Sequence, residues 1–286
     1  MLVRTKRGLP YMIQKTRRTL ADYVTELQSK GRIVFAAEDA VDALGTNRGA
    51  FLDAAQRLQR QGKLISPRKG FYVAVPPQFA SWGAPPPSWY VDALMQHEQA
   101  PYYVGLLKAA EMHGASHQAV MEFQVITAKR MSKIRAGRNF IVFYFRKDMA
   151  SIIDGIKDMK TDTGPMKISS PALTALDLMR YGNAVAGLNN VATVLSDLGS
   201  KIDADQLAIL SLSFEKPVVQ RLGYMLDILD RRSLTRKMHD LLMSSNRPSW
   251  TELDRKEARD PMFAPDPIER DQRWRVIVRR HPEVDE

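Results

Sequence analysis

The sequence predicts an α/β (α+β) protein in two parts, a small basic part followed by a larger one. Residues 1–70 hold 14 Lys and Arg against 6 Asp and Glu, whereas residues 71–286 hold 28 against 26. A run rich in Pro and Gly, residues 78–88, separates the two parts. Helical spacings and one hairpin fill the first part, and strand patterns precede helical ones in the second. We therefore expect domains at 1–77 and 89–286, joined by a linker at 78–88.

Composition narrows the class of protein. The 286 residues are 44% hydrophobic and 26% charged, which is typical of a globular chain. There is no Cys, so disulfides, thiolate metal sites and Cys nucleophiles are excluded. The longest apolar run, Phe140–Phe145, is too short to span a bilayer. No apolar stretch follows the basic N-terminus, as a secretory signal would require. The expected location is the cytoplasm.

The first predicted element is a helix that begins after Thr19. Thr19 and Asp22 have the spacing of a capping box. The apolar residues that follow have the spacing of one helix face, and they are Leu20, Tyr23, Val24 and Leu27. Gly31 ends this helix, and Ile33–Phe35 is a short run typical of a strand.

Two more helices are predicted before the hairpin. The second is short, from about Ala36 to Leu44, and Gly45 makes the turn after it. Thr46 is the predicted N-cap of the third helix. The buried stripe of this helix is Phe51, Ala54, Ala55 and Leu58. Gly62 closes it.

The stretch "QGKLISPRKGFYVAV", residues 61–75, predicts a two-stranded hairpin. Pro67 and Gly70 already satisfy the chemistry of its turn. Arg68 and Lys69 nevertheless place two like charges at the tip. A charged tip keeps a hairpin soluble, or it contacts an anion.

This order of elements predicts a winged helix-turn-helix, whose third helix enters the major groove of DNA. Arg and Asn suit bidentate contacts to guanine and adenine, and cations on the wing suit phosphates. Six of the first twenty residues are cations and none is an anion. The predicted DNA-binding residues are Thr46, Asn47, Arg48, Gln56, Arg57, Arg60, Arg68, Lys69, Arg17 and Arg18. Winged helices also bind proteins, so an interaction module that never binds DNA remains an alternative.

The second part has a mixed α/β pattern whose C-terminal half is helical. The predicted elements are a helix at Val104–Met112, strands at Met121–Thr127, Phe140–Phe145 and Met166–Ser169, and a helix capped by Ser170 and Pro171. Two further helices carry leucine-rich stripes, and a last strand is predicted at Trp274–Val278. A basic run holds Lys129, Arg130, Lys133, Arg135 and Arg138. It fits a solvated loop better than a second phosphate contact.

No motif predicts an enzyme, a cofactor or a metal ion. His113 and His117 have i, i+4 spacing, but Gly114 interrupts the helix that a metal site would need. Asp154, Asp158 and Lys160 resemble a nuclease trio, although their segment has a helical pattern and such a trio needs a strand. A further acidic and basic group fits surface pairing, and it comprises Asp227, Asp230, Asp240, Arg231 and Arg232. A nucleic-acid-processing enzyme with a winged-helix targeting domain remains a second alternative.

Three segments after the predicted winged helix carry a family resemblance. They are "YYVGLLKAAEMHGASHQ", "ISSPALTALDLM" and "RLGYMLDIL". In this order they resemble the AbiEi antitoxins of type IV toxin–antitoxin (abortive infection) systems, over about Thr19 to Leu242. The shared positions are packing residues, among them Tyr103, Gly105, Asp177 and Gly223.

The resemblance implies an antitoxin that also regulates transcription. Its winged helix represses its own operon by binding inverted or repeated operator sites in double-stranded promoter DNA. Its C-terminal domain counters a nucleotidyltransferase-like toxin, without requiring a stable complex. Neither catalysis nor a membrane is implied.

Overall fold

The structure, a computed structural model, describes residues 18–115, 121–244, 246–254 and 264–283. The chain divides into two compact units, Met1–Pro77 and Gln78–Glu286. No helix in these described ranges is both long and apolar enough to cross a membrane.

The first unit begins with the predicted capped helix. Its elements are α1 (Leu20–Ser29), β1 (Val34–Ala36), α2 (Ala37–Leu44), α3 (Arg48–Arg60), β2 (Leu64–Arg68) and β3 (Phe71–Ala74). The Asp22 amide donates to Thr19 Oγ1 and the Thr19 amide donates to Asp22 Oδ2, which is the predicted capping box. The strands form an antiparallel sheet in the order β1-β3-β2. This is the arrangement of a winged helix.

A chain of aromatic rings holds the first unit together. Tyr23 of α1 meets Phe35 of β1 edge-on at 5.4 Å between centroids. Phe35 stacks on Tyr72 of β3 at 5.6 Å, and Phe51 of α3 meets Tyr72 edge-on at 5.3 Å. All four rings are buried. Each offset or edge contact adds about 0.5–1.5 kcal/mol to the burial of the rings, so this core fixes α3 against the sheet.

The predicted linker is a folded part of the second unit. Two 3-10 helices, Pro77–Trp82 and Pro87–Trp89, precede α4 (Val91–His97). Phe79 meets Trp89 edge-on at 4.9 Å, and Pro87 is buried. Proline fixes its own φ near the helical value, so these prolines begin short helices here instead of forming a free spacer. We call residues 78–89 the strap.

A six-stranded sheet forms the first half of the second unit. Its strands are β4 (Tyr102–Val104), β5 (Glu122–Thr127), β6 (Ile134–Ala136), β7 (Asn139–Phe145), β8 (Ile156–Thr161) and β9 (Gly164–Ser169). They lie in the order β6-β7-β5-β4-β9-β8. Pairs β5–β7 and β4–β9 are parallel, and the other neighbours are antiparallel. The sheet is therefore mixed.

Six helices follow or cover this sheet. They are α5 (Leu106–Met112), α6 (Pro171–Arg180), α7 (Leu188–Leu198), α8 (Ala204–Ser211), α9 (Lys216–Ile228) and α10 (Arg232–Ser244). Ser170 caps α6 as predicted, since its Oγ accepts from the Leu173 amide at 3.3 Å. Val104, predicted to be helical, lies in β4 because the helix begins only after Gly105.

The tail folds back on α9 through a small sheet in the order β10-β12-β11. Its strands are β10 (Thr251–Glu252), β11 (Glu269–Asp271) and β12 (Val276–Val278). Trp274 is fully buried, and its ring occupies the space that a Cβ on Gly223 would need. The tail is thus part of the core of the second unit.

Candidate functional site

Helix α3 begins one residue later than the sequence predicts. Asn47, and not Thr46, is the N-cap, since its Oδ1 accepts from the Ala50 amide at 2.9 Å. Both residue types cap helices well, so the sequence alone does not choose between them. A bidentate contact to adenine would use the side-chain oxygen Oδ1 of Asn47. This atom already accepts the hydrogen bond from the Ala50 amide.

Arg48, the first residue of α3, is tied to the preceding helix. Its Nη1 lies 3.3 Å from Glu38 Oε1, and both side chains are about 60% exposed. An ion pair this exposed is worth at most about 1 kcal/mol. Arg48 can therefore exchange Glu38 for a phosphate at little cost.

The outer face of α3 is polar and basic. Phe51, Ala55 and Leu58 are buried on its inner face. The predicted residues Gln56, Arg57 and Arg60 are all exposed on the outside.

Sequence reasoning missed one member of this outer face. Gly49, Asp53, Gln56 and Arg60 follow i, i+4, i+7, i+11, and all four are exposed. Asp53 is an acid in the middle of a surface predicted to meet DNA. The helical spacing alone was enough to find it.

The hairpin forms as predicted, with a bulge that carries its proline. Register shifts between Ile65 and Arg68, so Pro67 lies outside the regular ladder. Ser66 Oγ lies within hydrogen-bond distance of two carbonyl oxygens, that of Arg68 at 2.9 Å and that of Phe71 at 3.1 Å. Arg68 is half-buried in β2, and Lys69 is exposed in the turn. The Ser66 hydroxyl thus bridges the two strands next to the tip of the wing.

The two arginines predicted from the N-terminal arm have different positions. Arg17 lies outside the described residues. Arg18 folds onto α1, where its guanidinium pairs with Glu26 and lies 5.4 Å from the ring of Tyr23.

The histidine pair gives no metal site among the described residues. His113 ends α5, and its Nε2 lies 2.7 Å from the carbonyl oxygen of Ser169. His117 lies outside the described residues. In the described part of the chain, no three His, Asp or Glu residues are placed to hold a metal ion.

The segment compared with a nuclease trio is a strand, which corrects the helix that its pattern indicated. Asp154 lies in a 3-10 helix, Ala150–Gly155, while Asp158 and Lys160 lie on β8 at the edge of the sheet. Both are exposed, and Asp158 Oδ1 pairs with Lys167 Nζ at 2.6 Å. Strand pairing with β9 overrides the local helical pattern.

Two residues from the segments that carry the resemblance, Tyr103 and Asp177, meet in the core of the second unit. The Tyr103 hydroxyl donates to Asp177 Oδ2 at 2.8 Å, and Arg146 Nη1 lies 3.8 Å from Asp177 Oδ1. All three side chains are buried. Burial raises the pKa of Asp177 to about 7, against the opposing effects of the Tyr103 hydroxyl and the Arg146 charge.

Asp227 is partly buried and not on the open surface, which corrects the expected surface pairing. It accepts from Thr235 Oγ1 at 2.7 Å and from Trp274 Nε1 at 2.9 Å, and Arg273 Nε lies 3.3 Å away. These bonds join α9, α10 and the tail.

The comparisons with known proteins bear on the second unit and on the fold. The family model of the AbiEi antitoxin C-terminal domain matches residues 103–228. No curated protein matches the chain. The crystal structure of the RV2827C protein from Mycobacterium tuberculosis is similar, with a TM-score of 0.66 and 17% identity over 92% of each chain. That likeness concerns the fold. Residues 103–228 of the chain thus match the C-terminal domain of the AbiEi antitoxins.

Proposed function

We propose that this antitoxin also represses transcription of its own operon by binding promoter DNA through the first unit. The observation that carries the proposal is the outer face of α3, where Gln56, Arg57 and Arg60 are exposed in the most basic quarter of the chain. A basic exposed helix beside a charged wing is typical of a DNA-binding domain.

The contacts divide by chemistry. Gln56, Arg57 and Arg60 have the donor geometry to read base edges in the major groove. Arg68 and Lys69 contact phosphates and add affinity without sequence information. Arg48 joins the phosphate contacts after leaving Glu38. Thr46, just before α3, and Arg18, just before α1, complete the proposed set of contacts.

Asn47 has a different role from the one that its residue type predicts. Its cap aligns the first amides of α3, and helix N-termini favour negative charge. We assign it to orienting α3, while its amide nitrogen stays available for one contact.

The second unit supplies the antitoxin activity. We propose that it counters a nucleotidyltransferase-like toxin, as the AbiEi resemblance implies. This role requires no catalysis by the chain and no cofactor. The protein would act on both promoter DNA and the toxin in the cytoplasm.

The test is fluorescence-anisotropy titration of labelled DNA from just upstream of the gene, with scrambled DNA as the control, at several salt concentrations. We expect a dissociation constant at least about 10³-fold lower for the upstream DNA, as for other specific DNA-binding proteins. Equal binding to both DNAs would overturn specific repression. Absence of binding would leave the interaction module as the better assignment.

A further inference from the structure

A ring-lined pocket lies in the second unit, between the strap and the N-terminal ends of β5 and β7. Its volume is about 290 Å³, close to the lower end of the roughly 300–1,000 Å³ of small-molecule sites. Four aromatic rings line it: Phe79, Trp82, Phe123 and Phe140. Phe123 is buried, whereas Trp82 is 52% exposed. We call this cavity the ring pocket.

A close backbone contact builds the ring pocket. Gly137, in the turn between β6 and β7, has a φ of 59°. A Cβ there would lie 2.2 Å from the Trp82 carbonyl oxygen, so only Gly fits. The Arg138 amide donates to that same oxygen at 3.0 Å. The strap and the β6–β7 hairpin are thereby held together, with the Trp82 and Phe140 rings in the same pocket.

Three cations lie beside two of the rings that line this pocket. The Arg138 guanidinium lies 6.0 Å from the centre of the Trp82 ring. Lys133 Nζ lies 4.2 Å and the Arg135 guanidinium 5.8 Å from the centre of the Phe140 ring. Lys133 is paired with Glu122 at 2.8 Å. Among the described residues, no carboxylate pairs with Arg135 or Arg138.

We propose that the ring pocket binds a nucleotide, with the base against the Trp82 and Phe140 rings and the phosphate on Arg135 and Arg138. Aromatic rings stack on any base, and arginine forks match phosphate oxygens. A purely apolar ligand would leave these two arginines without a partner. The nucleotide is either free or an unpaired nucleotide in a single strand. The ring pocket lies in the second unit, whereas the proposed promoter-binding surface lies in the first.

The first test titrates the full-length protein with four probes and follows tryptophan fluorescence. The probes are AMP, UMP, adenosine and inorganic phosphate. We expect AMP and UMP to quench the fluorescence and to bind more tightly than adenosine or phosphate, because only they fill both halves of the site. Equal affinity for AMP and inorganic phosphate would overturn the proposal.

Variants assign the binding to the ring pocket. Trp82→Ala is expected to weaken AMP binding by about 5- to 150-fold, the effect of removing a stacking ring, as measured by calorimetry. Trp82 is half exposed, so its removal leaves the core intact. Arg138→Ala should weaken AMP binding but leave adenosine unchanged. The matched control is Lys157→Ala, an exposed cation on β8 at the opposite edge of the same sheet. Unchanged AMP binding by Trp82→Ala would overturn the proposal.

A further arm separates the two sources of nucleotide. If a single-stranded RNA hexamer binds more tightly than AMP, and Trp82→Ala removes this difference in affinity, the ligand is an unpaired nucleotide in a strand. Equal affinities assign the free nucleotide. Gly137→Ala, which must separate the strap from the hairpin, should abolish both kinds of binding, and retention of full AMP affinity would contradict the geometry.

Discussion

Asn47 combines two tasks in one side chain. Its Oδ1 closes the first turn of α3, while the proposed DNA contact needs the amide group of the same side chain. Ser at an N-cap is about as good as Asn, but it carries no amide. Substitution therefore separates the two tasks.

The first prediction concerns this cap. Asn47→Ala should destabilise α3 by about 1 kcal/mol, and Asn47→Ser by a few tenths at most. Hydrogen exchange of peptides from α3 measures this locally, since all four tryptophans lie in the second unit. We expect exchange about five times faster in Asn47→Ala. Equal exchange in both variants would show that the cap contributes nothing.

The second prediction concerns the buried Asp177. An Asp in the unfolded chain has a pKa near 3.9, and burial raises it to about 7 here. The folded state therefore holds a proton that the unfolded state releases. The resulting stability is fully present below about pH 4 and is lost as pH rises through 7.

Asp177→Asn should remove this pH dependence, because the amide does not titrate and its oxygen can still accept from Tyr103. Urea unfolding followed by tryptophan fluorescence should show the wild type losing up to roughly 4 kcal/mol relative to the variant between pH 4 and 7. If the unfolding free energies of the two proteins changed with pH by the same amount, the raised pKa of Asp177 would be contradicted.

Sequence distance explains which residues could be predicted. The capping box of Thr19 and Asp22 spans three residues, so local pattern is sufficient. Tyr103 and Asp177 are 74 residues apart, and Asp227 and Trp274 are 47 apart. Their pairing depends on the packing of several helices and strands. The sequence identified Tyr103 and Asp177 as packing residues of the resemblance, but it did not predict the hydrogen bond between them.

At the scale of elements, the wing gives the third prediction. Arg68→Ala and Lys69→Ala should each weaken binding to every DNA sequence alike, since phosphate contacts carry no sequence information. Each lost contact should reduce the slope of log affinity against log salt by about 0.9. The matched control is Lys30→Ala, an exposed cation just after α1. Slopes unchanged from wild type would place the wing away from DNA.

Helix α9 and the tail give the fourth prediction. A Cβ on Gly223 would lie 2.4 Å from the ring of Trp274. Ala favours a helix over Gly by up to about 1 kcal/mol, but overpacking a core costs about 1–3 kcal/mol. Trp274 is fully buried and held by Asp227, so the clash should win.

We therefore expect Gly223→Ala to lower the urea midpoint of the second unit, measured by tryptophan fluorescence. Gly182→Ala is the control, because nothing lies within 4 Å of its added Cβ. It should change stability by at most about 0.5 kcal/mol. A stable Gly223→Ala variant would mean that the tail moves away from α9 freely.

Elements were predicted best where local pattern and tertiary pairing agree. Helix α6 has a cap, a first-turn proline and an apolar stripe, and it forms as predicted. Strand β8 has alternating charges and little apolar content, so its strand state comes from β9. The strap was expected to be a spacer, yet its aromatic residues fold it into the second unit.

At the scale of the whole molecule, charge and hydrophobic packing are divided between the two units. The first 70 residues carry most of the net positive charge, while the family match lies wholly in the second unit. The proposed functions should therefore be separable by substitution. Substitutions of the proposed DNA-binding residues on α3 and the wing should leave the antitoxin activity of the second unit unchanged.

The most direct test of this division is one double variant, Arg57→Ala with Lys69→Ala, measured in cells by two readouts. One is a reporter driven by the DNA upstream of the gene, and the other is growth during expression of the partner toxin. We expect loss of repression with full protection from the toxin. Intact repression, or joint loss of both activities in a protein that is folded and present at wild-type levels, would contradict it.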